Sequence, residues 1–112
     1  MESILLLLKN TPSHPDMANG LQMAQHFRME GNAVDVFLLQ DAVLAGVAKD
    51  GAPQSGALAP LLAQGLGCYA VGEDLELRGY TAASLPPAIH AASYDELAEM
   101  MMERYDRVLG AL

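Results

Sequence analysis

A charged cluster directly follows a short apolar run in the middle of the chain, and it holds the side chains best suited to chemistry. Residues 66–71 form the apolar run, Glu73 and Asp74 come just after it, and Arg78 lies one helical turn beyond Asp74. Paired carboxylates can serve as a general base or as polar ligand contacts. At the start of a helix the same pair caps the helix and complements its dipole. Both interpretations stay open. Arg78 is expected to form a salt bridge with one of the two carboxylates, or else to bind an anion or a partner subunit.

Two further polar residues are expected at the same edge of the fold. Asp41 ends the second predicted strand, and His14 lies in a loop with two prolines after the first. A histidine that is neutral near pH 7 can act as an acid or a base. Loops of this kind lie on the surface, where the imidazole is simply solvated. His14 is therefore a candidate crevice residue with a plain structural alternative.

Cys68 is the only cysteine, so it cannot form an internal disulfide. It lies inside the apolar run, three residues before Val71. A nucleophilic thiol needs partial exposure and a positive neighbour or a helix N-terminus. A cysteine without them behaves as a small buried hydrophobe. Cys68 is thus the candidate catalytic thiol, and a core position is the competing interpretation.

The elements that must position these residues alternate between strand and helix. Apolar runs bounded by glycine, proline or polar residues predict the strands, and 3.6-residue periodicity predicts the helices. The predicted strands are 3–8, 33–39, 66–71, 88–92 and 105–109, with 66–71 in the centre. The predicted helices are 16–29, 42–48, 57–64, 73–77 and one opening at Ser93, and 49–56 is a loop. This order predicts a single α/β domain over 1–112: a three-layer α/β/α sandwich around a five-stranded, mainly parallel sheet.

Local patterns support several of these elements. Met17, Leu21, Ala24 and Phe27 recur at helical spacing and give the first helix one apolar stripe. Ser93 and Glu96 have the spacing of a capping box at the start of the last helix. His90 falls inside the strand 88–92, and we expect it to be a buried, hydrogen-bonded imidazole. The carboxyl ends of the parallel strands should form a crevice, so this edge is the expected site.

Composition excludes several functions. Fourteen acidic against six basic residues give a net charge of −8, which disfavours nucleic acid and anionic membranes and suits a basic or protein partner. The apolar run at the N-terminus is too short to span a bilayer and lacks the features of a signal peptide, so we expect a cytoplasmic protein. No metal-ligand spacing and no glycine-rich phosphate motif is visible. We therefore expect no cofactor and no metal.

Four segments together resemble the DsrE/DsrF-like family, also called YchN-like. They are QDAV at 40–43, YAVGEDLELRG at 69–79, AASYDEL at 91–97 and YDRVL at 105–109. The resemblance covers nearly the whole chain. It implies an α/β/α domain with a five-stranded parallel sheet, commonly assembled as trimers or hexamers. It also implies an association with sulfur: several members carry sulfane sulfur as a persulfide, in sulfur oxidation or in sulfur relay to tRNA thiolation.

The resemblance also shows where this chain departs from the family's sulfur carriers. Those members place a cysteine at the end of the third strand, and that position is Val71 here. A second cysteine found in some members corresponds to Asp74. The residues that would carry the persulfide are therefore absent at both positions.

Three functional hypotheses follow. The first is a DsrE-like subunit without thiol chemistry, which acts as an interaction component of a homo-oligomer or of a sulfur-relay assembly. The second is a sulfane-sulfur carrier or sulfurtransferase that uses Cys68. The third is a small-ligand binder at a switch-point crevice lined by Asp41, Glu73, Asp74 and Arg78.

The methionine run at 100–102 bears on self-association. Three consecutive side chains cannot share one helical face, so at least one should point away from the core. Flexible methionine side chains suit adaptable contact surfaces. Core filler with one exposed methionine is the alternative.

Overall fold

The chain forms seven strands and five α-helices, described for residues 1–110 in a computed structural model. The strands are β1 (Ser3–Leu8), β2 (Ala33–Leu38), β3 (Ala48–Lys49), β4 (Ala52–Pro53), β5 (Gly67–Val71), β6 (Ile89–Ala92) and β7 (Arg107–Leu109). The helices are α1 (Pro15–Met29), α2 (Val43–Gly46), α3 (Leu58–Ala63), α4 (Gly72–Leu77) and α5 (Tyr94–Glu103). Short 3-10 turns occur at Gln40–Ala42 and Ala82–Ser84.

The main sheet has five strands in the order β6-β5-β2-β1-β7, and every neighbouring pair is parallel. The predicted fold class is therefore confirmed. The prediction that 66–71 is the central strand is wrong, because β2 lies in the middle and β5 lies second from one edge. Both strands are apolar, and hydrophobicity alone does not give their order in the sheet.

Helices cover the two faces of the sheet unequally. We call the side packed by α1, α2, α3 and α4 the first face, and the side packed by α5 the second face. Right-handed crossovers produce this division. The chain moves in one direction from β1 to β6, which keeps four helices on one side, and then returns past β1 to β7, which places α5 on the other.

Alternating side chains of the strands fill both apolar clusters. Ile4, Leu6 and Leu8 of β1 enter the first-face cluster, while Leu5 enters the second-face cluster with Phe37 of β2. Because both faces are covered, successive residues of one strand can all be apolar. This is why the sequence of β1 contains an unbroken hydrophobic run.

The local predictions are largely confirmed. Met17, Leu21 and Ala24 of α1 are buried, and Phe27 is partly buried against the same cluster. Ser93 and Glu96 form both bonds of the capping box. Met100 is buried while Met102 is 87% exposed, which confirms that at least one methionine of the run points away from the core.

Other boundaries and positions differ from the predictions. The loop expected at 49–56 contributes to a two-stranded antiparallel hairpin, β3 with β4, and α2 ends at Gly46, because Val47 is extended with a ψ of 130°. β7 begins two residues later than predicted, because the Asp106 carboxylate turns to accept the backbone N–H of Ser3 at 2.9 Å.

The expected burial of His90 is wrong. Its side chain is exposed because β6 is an edge strand and lies beyond the area that α5 covers.

No helix within residues 1–110 combines the length and the hydropathy needed to cross a membrane.

Candidate functional site

The predicted cluster lies at the carboxyl ends of β2 and β5, where β5 passes directly into α4. Val71 is the residue before α4 and is extended, with φ −70° and ψ 119°. Its side chain is fully buried in the second-face cluster. A hydrocarbon therefore occupies the position at which the resemblance implies a cysteine.

Asp74 is the one buried charged residue within 1–110, with 6% of its surface exposed. Its Oδ2 atom accepts the backbone N–H of Gln40 at 2.7 Å and also accepts the hydroxyl of Tyr94. Gln40 has a φ of 52°, in the left-handed region that residues other than glycine rarely adopt. The Asp74 carboxylate thus fixes the turn after β2 and the first residue of α5 at the same time.

Arg78 connects Asp74 with Asp41. Its Nε and Nη2 atoms both donate to Asp41 Oδ1, at 3.0 and 2.7 Å, and its Nη1 atom donates to the backbone carbonyl of Asp74 at 2.9 Å. Nη1 also lies 3.8 Å from Asp74 Oδ1. The expected salt bridge to one carboxylate of the pair is confirmed for Asp74, although the shorter contact is made to Asp41. An arginine engaged in this way is a structural clamp.

Tyr94 completes this carboxyl-edge network, which we define as Asp41, Asp74, Arg78 and Tyr94. Burial, the hydrogen bond to Asp74 and the negative charges of Asp74 and Glu73 together raise the pKa of the Tyr94 hydroxyl to about 12. The hydroxyl is therefore a proton donor throughout the neutral range. Sequence reasoning missed Tyr94, because only the pairing of β6 with β5 brings the start of α5 beside α4.

Glu73 lies outside this network and faces solvent. Its Oε2 atom accepts the backbone N–H of Tyr94 at 3.4 Å. It also lines a hollow of about 300 Å³, whose other acidic residues are Glu76 and Glu96. Asp41, Asp74 and Arg78 are not among the residues that line this hollow. The expected crevice residues therefore separate into a closed network and one exposed carboxylate.

The expectation that this edge is the topological switch point is wrong. The order of the strands reverses between β1 and β7, whereas the network lies at the ends of β2 and β5. The switch-point rule therefore does not point to these residues.

His14 has a separate role at the start of α1. Its Nδ1 atom accepts the backbone N–H of Asp16 at 3.1 Å, so the imidazole is the N-cap of that helix. Within residues 1–110 it makes no hydrogen bond or ion pair with the carboxyl-edge network. The structure thus gives His14 a capping function that the sequence pattern did not indicate.

Cys68 is fully buried and faces the first-face cluster. Burial raises the pKa of its thiol to about 12, and the charge of Asp35 adds to this effect. The thiolate is the nucleophilic form of cysteine, and at neutral pH this site disfavours it strongly. About 10 Å of strand separates Cys68 from the end of β5, given roughly 3.3 Å per residue. No grouping of three or more His, Cys, Asp or Glu side chains suited to a metal ion occurs within 1–110.

Comparisons with known proteins identify the class of this fold. The chain is similar to the crystal structure of the ychN protein from E. coli, with a TM-score of 0.83 and 24% identity over 99% of this chain and 100% of that one. It is also similar to the structure of MTH1491, a protein of unknown function from Methanobacterium thermoautotrophicum, with a TM-score of 0.75 and 13% identity over 97% of each chain. These likenesses establish a YchN-type α/β fold.

The family follows from a sequence comparison. A family model described as "DsrH like protein" matches residues 16–107, which is most of the chain. The chain therefore belongs to the DsrH-like family, in agreement with the YchN-like resemblance of its sequence. A search of curated proteins found no match.

Proposed function

We propose that this protein is a small DsrE-like subunit of a sulfur-relay or sulfur-metabolism assembly, and that it contributes contacts rather than a sulfur-carrying thiol. One observation carries this proposal: the two positions at which related carriers have cysteine are used here for structure. Val71 is core, and Asp74 holds the turn at Gln40 and the hydroxyl of Tyr94. A carboxylate that accepts several hydrogen bonds fixes its surroundings and forms no persulfide.

Exposed apolar side chains support an interaction role. Leu77 is 81% exposed at the end of α4, and Met101 and Met102 are exposed on α5. Flexible exposed methionine side chains suit adaptable contact surfaces. We propose self-association, as a trimer or hexamer, or assembly with sulfur-relay partners, in the cytoplasm. Light scattering coupled to size-exclusion chromatography measures the oligomer directly, and a monomer at micromolar concentration would contradict self-association.

The decisive test for thiol chemistry is intact-protein mass spectrometry after incubation with a sulfane-sulfur donor. We expect no gain of a sulfur atom, because the only thiol is buried and protonated. Alkylation by iodoacetamide should occur only after unfolding. A Cys68→Ala variant is the matched control.

The opposite result would establish the carrier hypothesis. A gain of one sulfur that reductant reverses and that the Cys68→Ala variant lacks would show that the buried thiol becomes accessible. The protein would then act as a sulfane-sulfur carrier or sulfurtransferase through Cys68.

The ligand-binding hypothesis has one observation in its favour, the hollow lined by Glu73, Glu76 and Glu96. Three carboxylates favour a cationic ligand. Calorimetric titration with spermidine, in the native protein and in a Glu73→Gln variant, tests it. Equal heats for the two proteins would exclude Glu73 as a ligand contact.

A further inference from the structure

A second, larger hollow lies on the second face of the sheet, between β6 and one side of α5. Its volume is about 400 Å³, within the range of small-molecule pockets. It exists because α5 runs from β6 towards β7 and, within residues 1–110, no other helix packs on this face. We call it the α5 hollow and define it by Tyr69, His90, Glu96, Glu99, Met100 and Arg104.

The floor of the α5 hollow is aromatic and held in place. The ring of Tyr69 stacks on the buried ring of Phe37, with centroids 5.4 Å apart and planes 12° apart. The imidazole of His90 lies 5.8 Å from Tyr69 at an angle of 43°. Met100 is buried and adds a thioether to the floor. Stacked rings lose little freedom when a ligand binds, so the floor is a preorganised apolar surface.

The walls carry charged side chains of both signs, and within residues 1–110 these side chains form no ion pair with one another. Glu96 and Glu99 are one turn apart on α5, and Arg104 follows Glu99 by five residues, about 7.5 Å along a helix axis at 1.5 Å per residue. Within residues 1–110, no ion pair of 4.0 Å or less includes any of these three side chains. Glu99 and Arg104 also make no side-chain hydrogen bond there, whereas Glu96 is engaged in the capping box.

We propose that the α5 hollow binds a small zwitterion of the amino-acid type. The ammonium group of the ligand contacts the Glu99 carboxylate, its carboxylate accepts hydrogen bonds from the Arg104 guanidinium, and its side chain packs on Tyr69 and Met100. A guanidinium binds a carboxylate through two parallel hydrogen bonds, which fixes the orientation of the ligand. A ligand with a single charge would leave either Glu99 or Arg104 without an ionic partner.

This site is separate from the carboxyl-edge network, and the inference does not depend on the proposed sulfur association. None of Asp41, Asp74, Arg78 and Tyr94 lines the α5 hollow. Glu96 lies between this hollow and the smaller acidic one. Glu99 and Arg104 line only the larger, so these two residues test it specifically.

The test is a titration of ¹⁵N-labelled protein, followed by amide chemical shifts, with free phenylalanine, methionine and leucine as probes. We expect shifts confined to residues 69, 90–92 and 96–104. Glu99→Gln and Arg104→Gln should each weaken binding about tenfold or more, because each removes a charge-assisted contact. The matched control is Glu103→Gln, an exposed carboxylate on the same helix outside the hollow, which should leave binding unchanged.

A blocked ligand decides whether the zwitterion is what binds. N-acetyl-phenylalanine amide has the same side chain without either charge, and it should bind far more weakly than phenylalanine. Equal binding of the blocked and free forms would overturn the proposal. So would shifts outside the hollow, or their absence at millimolar amino acid. The exposed positions of Glu99 and Arg104 keep both variants folded, and the amide spectrum verifies this.

Discussion

Two tyrosine–aspartate hydrogen bonds hold the two ends of α5, one to α4 and one to β2, and they differ in what surrounds them. Tyr94, the first residue of α5, donates to Asp74, which also accepts a backbone N–H and has Arg78 beside it. Tyr105, two residues beyond α5, donates to Asp35 at 2.5 Å. Asp35 has no other side-chain hydrogen bond within residues 1–110.

The same pair of residue types has unequal importance for stability at the two ends of α5. Asp74 is buried and connects three segments: the turn after β2, α4 and α5. Asp35 is half-buried in the middle of β2, and its carboxylate packs over Gly67. The free energy of unfolding should therefore depend far more on the pair at the carboxyl edge.

Removing the Asp74 carboxylate should have the largest effect. Asp74→Ala leaves the N–H of Gln40 and the hydroxyl of Tyr94 without an acceptor, and we expect a loss of about 3 kcal/mol in the free energy of unfolding. Asp35→Ala should cost about 1 kcal/mol, because one hydrogen bond is lost at a half-buried site. Urea denaturation measures both values. Glu76→Ala, an exposed carboxylate on α4, is the control and should be nearly neutral. Equal losses for Asp74→Ala and Asp35→Ala would show that the two tyrosine–aspartate pairs contribute equally to stability.

A methyl group at Gly67 should disrupt the hydrogen bond between Tyr105 and Asp35. A Cβ atom there would lie 1.9 Å from Asp35 Oδ1, so the carboxylate must move and its bond to Tyr105 is lost. We expect Gly67→Ala to destabilise the fold by about 2 kcal/mol, as overpacking does elsewhere.

A double variant isolates the cause of this loss. In an Asp35→Ala background the same substitution at Gly67 should cost clearly less, because the clashing atoms are gone. Gly56→Ala is the matched control, since no atom of residues 1–110 lies within 4 Å of its added Cβ. An unchanged cost in the double variant would show that the strand backbone, and not Asp35, requires glycine.

Alkaline pH should weaken both pairs. The pKa of Tyr94 is raised from 10.0 to about 12, and burial and Asp35 also raise the pKa of Tyr105. Between the ordinary and the raised pKa, the unfolded chain releases the proton while the folded chain keeps it. The stability that the Tyr94 hydroxyl provides is therefore complete below pH 10 and is lost as the pH rises through about 12, and the contribution of Tyr105 is lost in the same direction. Urea midpoints from pH 8 to about 11 should fall more steeply for the native protein than for Tyr94→Phe. Parallel curves would mean that Tyr94 titrates normally.

The exposed ion pair of the carboxyl edge should have the smallest effect. Asp41 is 60% exposed in its contact with Arg78, and exposed pairs contribute about 0–1 kcal/mol. Asp41→Asn should therefore lower the free energy of unfolding by about 0.5 kcal/mol, with the difference shrinking in high salt. A larger, salt-independent loss would mean that Asp41 positions the Gln40 turn as well.

The succession of the five main-sheet strands and of the helices followed from the sequence because each of these elements is encoded locally, whereas the β3–β4 hairpin was not predicted. Unbroken apolar runs marked the buried strands, and the Ser93–Glu96 spacing marked the start of α5. The candidate site was predicted only in part. Asp74, Arg78 and Asp41 were placed at one edge of the sheet because strand ends are local features, whereas their partners Tyr94 and Gln40 were missed.

Long-range pairing explains those misses and the errors in burial. The hydroxyl of Tyr94 reaches Asp74 across 20 residues of chain, and that of Tyr105 reaches Asp35 across 70. No local sequence pattern predicts contacts between residues so far apart in the chain. His90 was expected in the core because its neighbours are apolar, but the edge position of β6 decides its exposure.

The sequence by itself determined the fold class and the absence of cysteine at positions 71 and 74, because alternation of apolar runs and residue identity are properties of the chain alone. Tertiary structure decided which side chains meet. Within the described residues 1–110, the order of the strands placed α5 as the one helix on the second face and left a hollow beside it. Two tyrosine hydroxyls hold the ends of α5. The physical reason is that hydrogen bonds and cavities arise between segments that are distant in sequence, and crossover handedness and packing bring those segments together.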